Sequence, residues 1–127
     1  MQRTILLFVF LLASCASIAV EKDILFLSKP KSSWVMESKN AFVLEDKNPK
    51  APVHLLIVPK EPIKNLLEAS PALLGEMLNL AKLAAAKYGV DESGFRVVIN
   101  TNEEGGQHIY HLHMHVLGGR KMKWPPG

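Results

Sequence analysis

The chain has 127 residues, enough for one domain of ordinary size and too few for two. Its formal net charge is +3 and its isoelectric point is about 9.1, a mild basic balance. The lysines and arginines are scattered rather than gathered into a stripe, which argues against nucleic acid as the primary partner, since a phosphate-tracking surface needs a clustered basic patch.

The amino end differs in kind from the rest. Met1 to Thr4 carries one positive charge, Ile5 to Leu12 is continuously apolar, and small residues follow from Ala13 to Ser17. This is the pattern of a cleavable export signal over residues 1–19, with the folded domain over 20–127. Ser14-Cys15-Ala16 and Ser17-Ile18-Ala19 both suit a small-x-small cleavage site. Leu12-Ala13-Ser14-Cys15 also resembles the lipobox of bacterial lipoproteins, in which the cysteine is acylated. The apolar run is short for a membrane span, which needs about 20 residues. The expectation is a protein exported to the periplasm or cell envelope, with Cys15 as its sole means of membrane attachment. The alternative is a cytoplasmic protein that keeps its amino-terminal segment. Cys15 is the only cysteine, so the domain has no internal disulfide, no cysteine-based zinc site and no catalytic thiol.

The domain begins with a mixed stretch, Val20 to Lys31, containing the apolar patch Ile24-Leu25-Phe26-Leu27. Trp34 to Glu37 and Ala41 to Leu44 read as strands joined by a turn at Ser38-Lys39-Asn40. Glu45 to Pro52 is a polar, proline-containing loop, and Val53 to Val58 is a strand stopped by Pro59 and Pro62. Ser70-Pro71 opens a helix, because serine caps well and proline is tolerated in the first turn. Leu73, Leu74, Met77, Leu80, Ala81 and Ala84 recur at helical spacing, and Gly89 stands where a helix ends. Phe95 to Asn100 is a strand and Thr101 to Gln107 a loop with two adjacent glycines. The order of elements predicts an α+β domain with a mainly antiparallel sheet.

Residues 111 to 117 read His-Leu-His-Met-His-Val-Leu. On a strand, His111, His113 and His115 share one face, and Leu112, Met114 and Val116 share the other. The glycines of Gly105-Gly106-Gln107 precede them, where backbone N–H groups can approach an anion. Imidazoles beside an anion site suit nucleophilic attack at phosphorus, with one histidine attacking and a neighbour protonating the leaving group. The same spacing also suits a metal, since His-x-His on a strand sends both side chains the same way. Spacing alone leaves both readings open.

Gly105 to Tyr110 followed by His-Leu-His-Met-His-Val-Leu resembles the histidine triad family, whose signature of histidines alternating with apolar residues is met at every position. Gly118-Gly119-Arg120 and the ending Trp124-Pro125-Pro126-Gly127 are similar to its Hint branch, the histidine triad nucleotide-binding proteins. The resemblance runs from about Asp23 to the end and is strongest in the carboxy-terminal third. It implies the α+β histidine triad fold, an antiparallel sheet of about five strands with one long and one short helix. It also implies a homodimer. By position, His113 would be the nucleophile, His115 would contact the phosphate and assist the leaving group, and His111 would support them from within. His54 would brace His111, and Asp46 would hold ribose hydroxyls. Asn100, Gly106, Gln107 and His108 fall on phosphate-binding positions, and Trp124 on one that reaches the partner subunit.

Three places depart from the family pattern, one of them Lys60-Glu61-Pro62, where Lys-Lys-His is common and a peripheral histidine is therefore absent. His108 stands where serine is usual, and Lys47 where many relatives have an apolar residue lining the base pocket. The expected function is hydrolysis of nucleoside 5′-phosphoramidates or related nucleotidyl conjugates, with a purine nucleotide or its conjugate as partner and with neither cofactor nor metal. The alternatives are a purine-nucleotide-binding module of low turnover and a metal-binding protein using the three-histidine face.

Overall fold

The computed structural model of the chain describes residues 26–127. The export segment 1–19, its cleavage sites and Cys15 lie outside them. Five strands form one antiparallel sheet: β1 Met36–Glu37, β2 Ala41–Glu45, β3 Val53–Pro59, β4 Phe95–Val98 and β5 Met114–Gly118. Their order across the sheet is β1-β2-β3-β5-β4, so β3 and β5 are central and antiparallel neighbours. One long helix, α1, spans Pro71–Lys87. The shorter helix expected from the family is not found among the described residues. Two three-residue 3-10 turns, Lys31–Ser33 and Leu66–Glu68, stand outside the sheet.

The helix forms where its signals lie. Ser70 Oγ accepts the Leu73 N–H at 3.1 Å, Pro71 occupies the first turn, and Gly89 leaves the helix at φ +72°. Its buried stripe is Met77, Leu80, Ala81, Ala84 and Ala85. Leu73 and Leu74, expected in that stripe, are only partly buried because they lie in the first turn at the margin of the sheet. Small alanines let α1 sit close to the sheet. Met77 and Leu80 each contribute about 1.5–3 kcal/mol by leaving water.

Strand alternation divides the sheet into two faces. Ala41, Val43, Leu55, Ile57, Leu112, Met114 and Val116 pack beneath α1. Phe42, Leu44, Leu56 and Val58 form a second cluster on the opposite face, covered by Phe26 and flanked by Trp34 and Ile109. Both faces of β2 and β3 are therefore buried, which is why their sequences are apolar runs rather than alternating ones.

The histidine strand is shorter than its sequence pattern. The ladder with β3 runs from Gly118 opposite Val53 to Met114 opposite Ile57. Continuing that register would set Leu112 against Pro59, which has no N–H to donate. The chain leaves the ladder there, and Leu112 N–H instead donates to Ile63 O at 2.7 Å. The strand expected over 111–117 is thus Met114–Gly118, and the strand expected over 95–100 ends at Val98. The alternation of faces nevertheless persists through Leu112.

Candidate active site

The sheet face turned away from α1 carries a cleft of about 800 Å³. His54 and Leu56 reach it from β3, His115 and Leu117 from β5, and Val98 from β4, all at alternate positions of their strands. Leu56 and Val98 lie opposite His115 on either side, so the central imidazole is held between two apolar neighbours. Asp46, His108, Asn100 and Gly106 arrive from loops, and Phe26, Lys29 and Pro126 complete the wall. His113 joins from the segment just before β5.

Hydrogen-bond partners determine the tautomer of each imidazole. The Lys50 backbone N–H donates to His54 Nδ1 at 3.0 Å, so the His54 proton resides on Nε2. That N–H faces His115 Nδ1 at 2.9 Å and Asp46 Oδ2 at 3.3 Å. His115 Nδ1 is then an acceptor, and its own proton is on Nε2. His113 Nδ1 lies 2.7 Å from the His111 carbonyl, which can only accept, so His113 Nδ1 carries its proton and Nε2 carries the lone pair. Phe26 packs on the His113 ring at 5.0 Å between centroids, and His115 meets it edge-on at 5.1 Å.

These environments favour neutral imidazoles. Burial pushes His113 below the usual histidine range, against the opposing pull of the His111 carbonyl and of Asp46. Burial, then the neighbouring His113 and His54, push His115 down to about 4. Burial likewise lowers His54, with Asp46 opposing it. A neutral imidazole with a free Nε2 pair is a nucleophile at neutral pH, and a neutral Nε2–H beside it is a hydrogen-bond donor.

The structure brings His54, His113, His115, Asp46, Asn100, Gly106 and His108 around one cleft. Three expected site residues stand elsewhere. His111 is fully buried below the cleft, its Nε2–H donating to Pro59 O at 2.9 Å, and it supports His113 through its carbonyl. The bracing role expected of His54 falls on His115 instead, because the chain leaves the ladder before His111 while His115 stays in register. Gln107 is turned inward: Oε1 accepts Asn102 N–H, and Nε2 donates to the carbonyls of Lys64 and Ile109. Its backbone N–H donates to Asn102 O, and that of Gly106 to Glu103 O. Neither N–H is then turned to an anion, so Gln107 fastens the loop rather than cradling phosphate. Trp124 is 81% exposed, with the Arg96 guanidinium 6.0 Å from its ring.

Sequence reasoning missed Phe26 and Lys29. Phe26 belongs to an apolar patch whose pattern named no partner, and nothing around Lys29 marks it as a cleft residue.

A sheet-borne histidine cluster on the face opposite α1 defines a histidine-centred site on an antiparallel α+β scaffold. Comparison with known proteins gives the family: the model of the HIT domain matches residues 28–122, and the chain belongs to the histidine triad family. It is 52% identical over 96 residues to an uncharacterized HIT-like protein of Synechococcus elongatus, covering 73% of this chain and 83% of that protein. It is 43% identical over 101 residues to a 14 kDa zinc-binding protein of Brassica juncea, covering 76% and 88%. Among solved structures it is similar to a HIT family hydrolase of Legionella pneumophila, with a TM-score of 0.75 and 42% identity over 84% of this chain and 96% of that one.

Proposed function

We propose that this chain is a hydrolase that cleaves nucleoside 5′-phosphoramidates or related nucleotidyl conjugates through a nucleotidyl-histidine intermediate on His113. The observation that carries this reading is the bond from His113 Nδ1 to the His111 carbonyl, which leaves the Nε2 lone pair for attack. The likeness to a HIT family hydrolase supports the reaction class.

In the first half-reaction, His113 Nε2 bonds to the α-phosphorus and the bond from phosphorus to the amine breaks. The amine leaves with one proton taken up through the His115 Nε2–H position, which water replenishes. In the second half, water attacks the phosphorus, its proton departs by the same position, and the bond to Nε2 breaks to release the nucleoside monophosphate. Asp46 accepts hydrogen bonds from the ribose hydroxyls. Its Oδ1 already takes the Asn48 N–H at 2.8 Å, which aims the carboxylate while leaving acceptor capacity on both oxygens. His108 and Asn100 supply side-chain donors at the phosphate end of the same cleft.

The decisive experiment is turnover of adenosine phosphoramidate by the wild type and His113→Ala. The expected result is hydrolysis by the wild type and a loss of about 1,000-fold or more in the variant, with nucleotide binding retained. Nucleotide binding without His113-dependent turnover overturns the enzyme reading and leaves a binding module.

A second reading follows from the zinc-binding plant relative. The metal-competent group among the described residues is Asp46, His54 and His115, whose ligand atoms lie within 4.8 Å of one another. This is not the three-histidine face, because His111 is buried away from it. The fit is poor: the Lys50 N–H holds the proton of His54 on Nε2, the atom a metal would need. No step of the proposed reaction passes through a metal.

Export by the amino-terminal segment, acylation of Cys15 and pairing into a homodimer are further parts of the proposal. Mass spectrometry of the mature amino terminus tests the first two, and sedimentation of the purified domain tests the third.

A further inference from the structure

β3 and β5 stay paired as far as Val53 opposite Gly118. The next pair in that register is Pro52 with Gly119, and Pro52 has no N–H to donate. Gly119 turns the chain at φ +86°, so close to the loop that a Cβ on it would stand 2.9 Å from Pro52 Cβ. Arg120 takes over where the ladder stops. Its Nε–H and one Nη2–H both donate to the Lys50 carbonyl, at 3.2 and 3.0 Å, and an Nη1–H donates to Lys121 O at 3.4 Å. The peptide group just before that carbonyl carries the Lys50 N–H, which donates to His54 Nδ1 at 3.0 Å. His54 Nε2–H in turn meets His115 Nδ1 at 2.9 Å. The circuit Arg120–Lys50–His54–His115 thus begins and ends on one stretch of chain, β5 and the two residues after it. Lys47, Asn48, Pro49 and Lys50 are all exposed, so packing does not fix the Lys50 peptide.

We propose that Arg120 is a positioning residue for the reaction: by holding the Lys50 carbonyl it keeps the Lys50 N–H on His54 Nδ1, and so keeps the His115 proton on Nε2. This inference rests on the hydrolase reading above. A guanidinium suits the task, because it is always charged and its fork brings two N–H groups to one carbonyl. Without it, water solvates both the Lys50 carbonyl and His54 Nδ1, and water can donate or accept. The His54 proton then sits on Nδ1 in part of the molecules. In those molecules His54 Nε2 is an acceptor, His115 Nδ1 must supply the proton between the rings, and His115 Nε2 has none for the leaving amine. Asp46 Oδ2, 3.3 Å from His54 Nε2, favours the working tautomer as well, but ribose hydroxyls compete for that carboxylate. Arg120 does not line the cleft, so its effect passes through the Lys50 backbone.

The test compares the wild type, Arg120→Met, His54→Ala and the double variant by two readouts. One is turnover of adenosine phosphoramidate. The other is nitrogen–proton NMR of the histidine rings, which shows which ring nitrogen carries the proton, recorded at a pH where the rings are neutral. Arg120→Met is expected to lower kcat about 5- to 10-fold with KM within about 2-fold, since the substrate contacts remain. In the His54→Ala background the same substitution is expected to change kcat by less than about 2-fold, because the route from Arg120 to His115 is already cut. The His54 proton is expected on Nε2 in the wild type and divided between Nε2 and Nδ1 in Arg120→Met. A His54 ring that keeps its proton on Nε2 in Arg120→Met overturns the proposal. So does a fall in kcat that is as large without His54 as with it. A wild type that binds nucleotide without His113-dependent turnover overturns the hydrolase reading instead, and the ring spectra, which need no turnover, still decide whether Arg120 sets the tautomer.

Discussion

His54 Nε2 stands 2.9 Å from His115 Nδ1, across 61 positions of sequence, and determines which nitrogen of His115 holds its proton. The chain of donors begins at the Lys50 backbone, passes through the His54 ring and ends with the His115 Nε2–H. Because a backbone N–H cannot change its role, the order of donors and acceptors is imposed from one end.

Replacing His54 therefore acts on His115. His54→Ala is expected to lower turnover about 10- to 100-fold with little change in KM, since the phosphate and ribose contacts remain. His54 is one of the groups pushing His115 down, so the His115 ring should titrate closer to the ordinary histidine value in the variant. NMR titration of the ring protons reads this shift, which a merely structural role for His54 would not produce.

Stability should fall with acid in a defined window. His115 is pushed from 6.5 to about 4 in the folded chain, and His54 and His113 are lowered as well. Between those values the unfolded chain binds more protons than the folded one, so unfolding free energy rises with pH there. The stabilisation is fully present above about 6.5 and is lost as pH falls toward about 4. Thermal unfolding across this range should show Tm falling with acid, and His115→Phe should flatten the dependence.

The loop before the histidines is closed too tightly for a methyl group at Gly105. An added Cβ would meet the Thr101 backbone, 2.8 Å from its nitrogen and closer still to its oxygen. Gly105→Ala is expected to cost about 1–3 kcal/mol, because backbone must move and disturb the Asn102–Gln107 bonds. Denaturant unfolding measures this. Gly75→Ala, where nothing lies within 4 Å of the added carbon, should stabilise by about 0.5–1 kcal/mol.

Removing metals should leave activity unchanged. Treatment with EDTA followed by assay of phosphoramidate turnover is expected to give the untreated rate. Added zinc should inhibit only by taking His115 and Asp46, and so should be opposed by nucleotide. A rate that falls with EDTA and returns with zinc would support the metal reading instead.

Much of the scaffold was legible locally. The serine cap, the proline in the first turn and the 3.6-residue stripe place α1, because helix signals act over a few residues. The apolar runs at 41–44 and 53–58 mark strands covered on both faces, and both are central enough to be so. The end of β5 was not legible. It depends on Pro59 in another strand coming opposite Leu112, a pairing set by long-range register.

The candidate site divides along the same line. By itself the sequence determined that Leu112, Met114 and Val116 turn to one face and His113 and His115 to the other, since side-chain direction on extended backbone repeats every two residues. Its family pattern singled out Asp46 and His54 from an otherwise ordinary loop and strand. Only the tertiary structure decided that His54 faces His115 rather than His111, that Gln107 points into the loop, and that Lys29 reaches the cleft. Those relationships depend on strand pairing and packing between residues far apart in the chain, where no local periodicity carries the information.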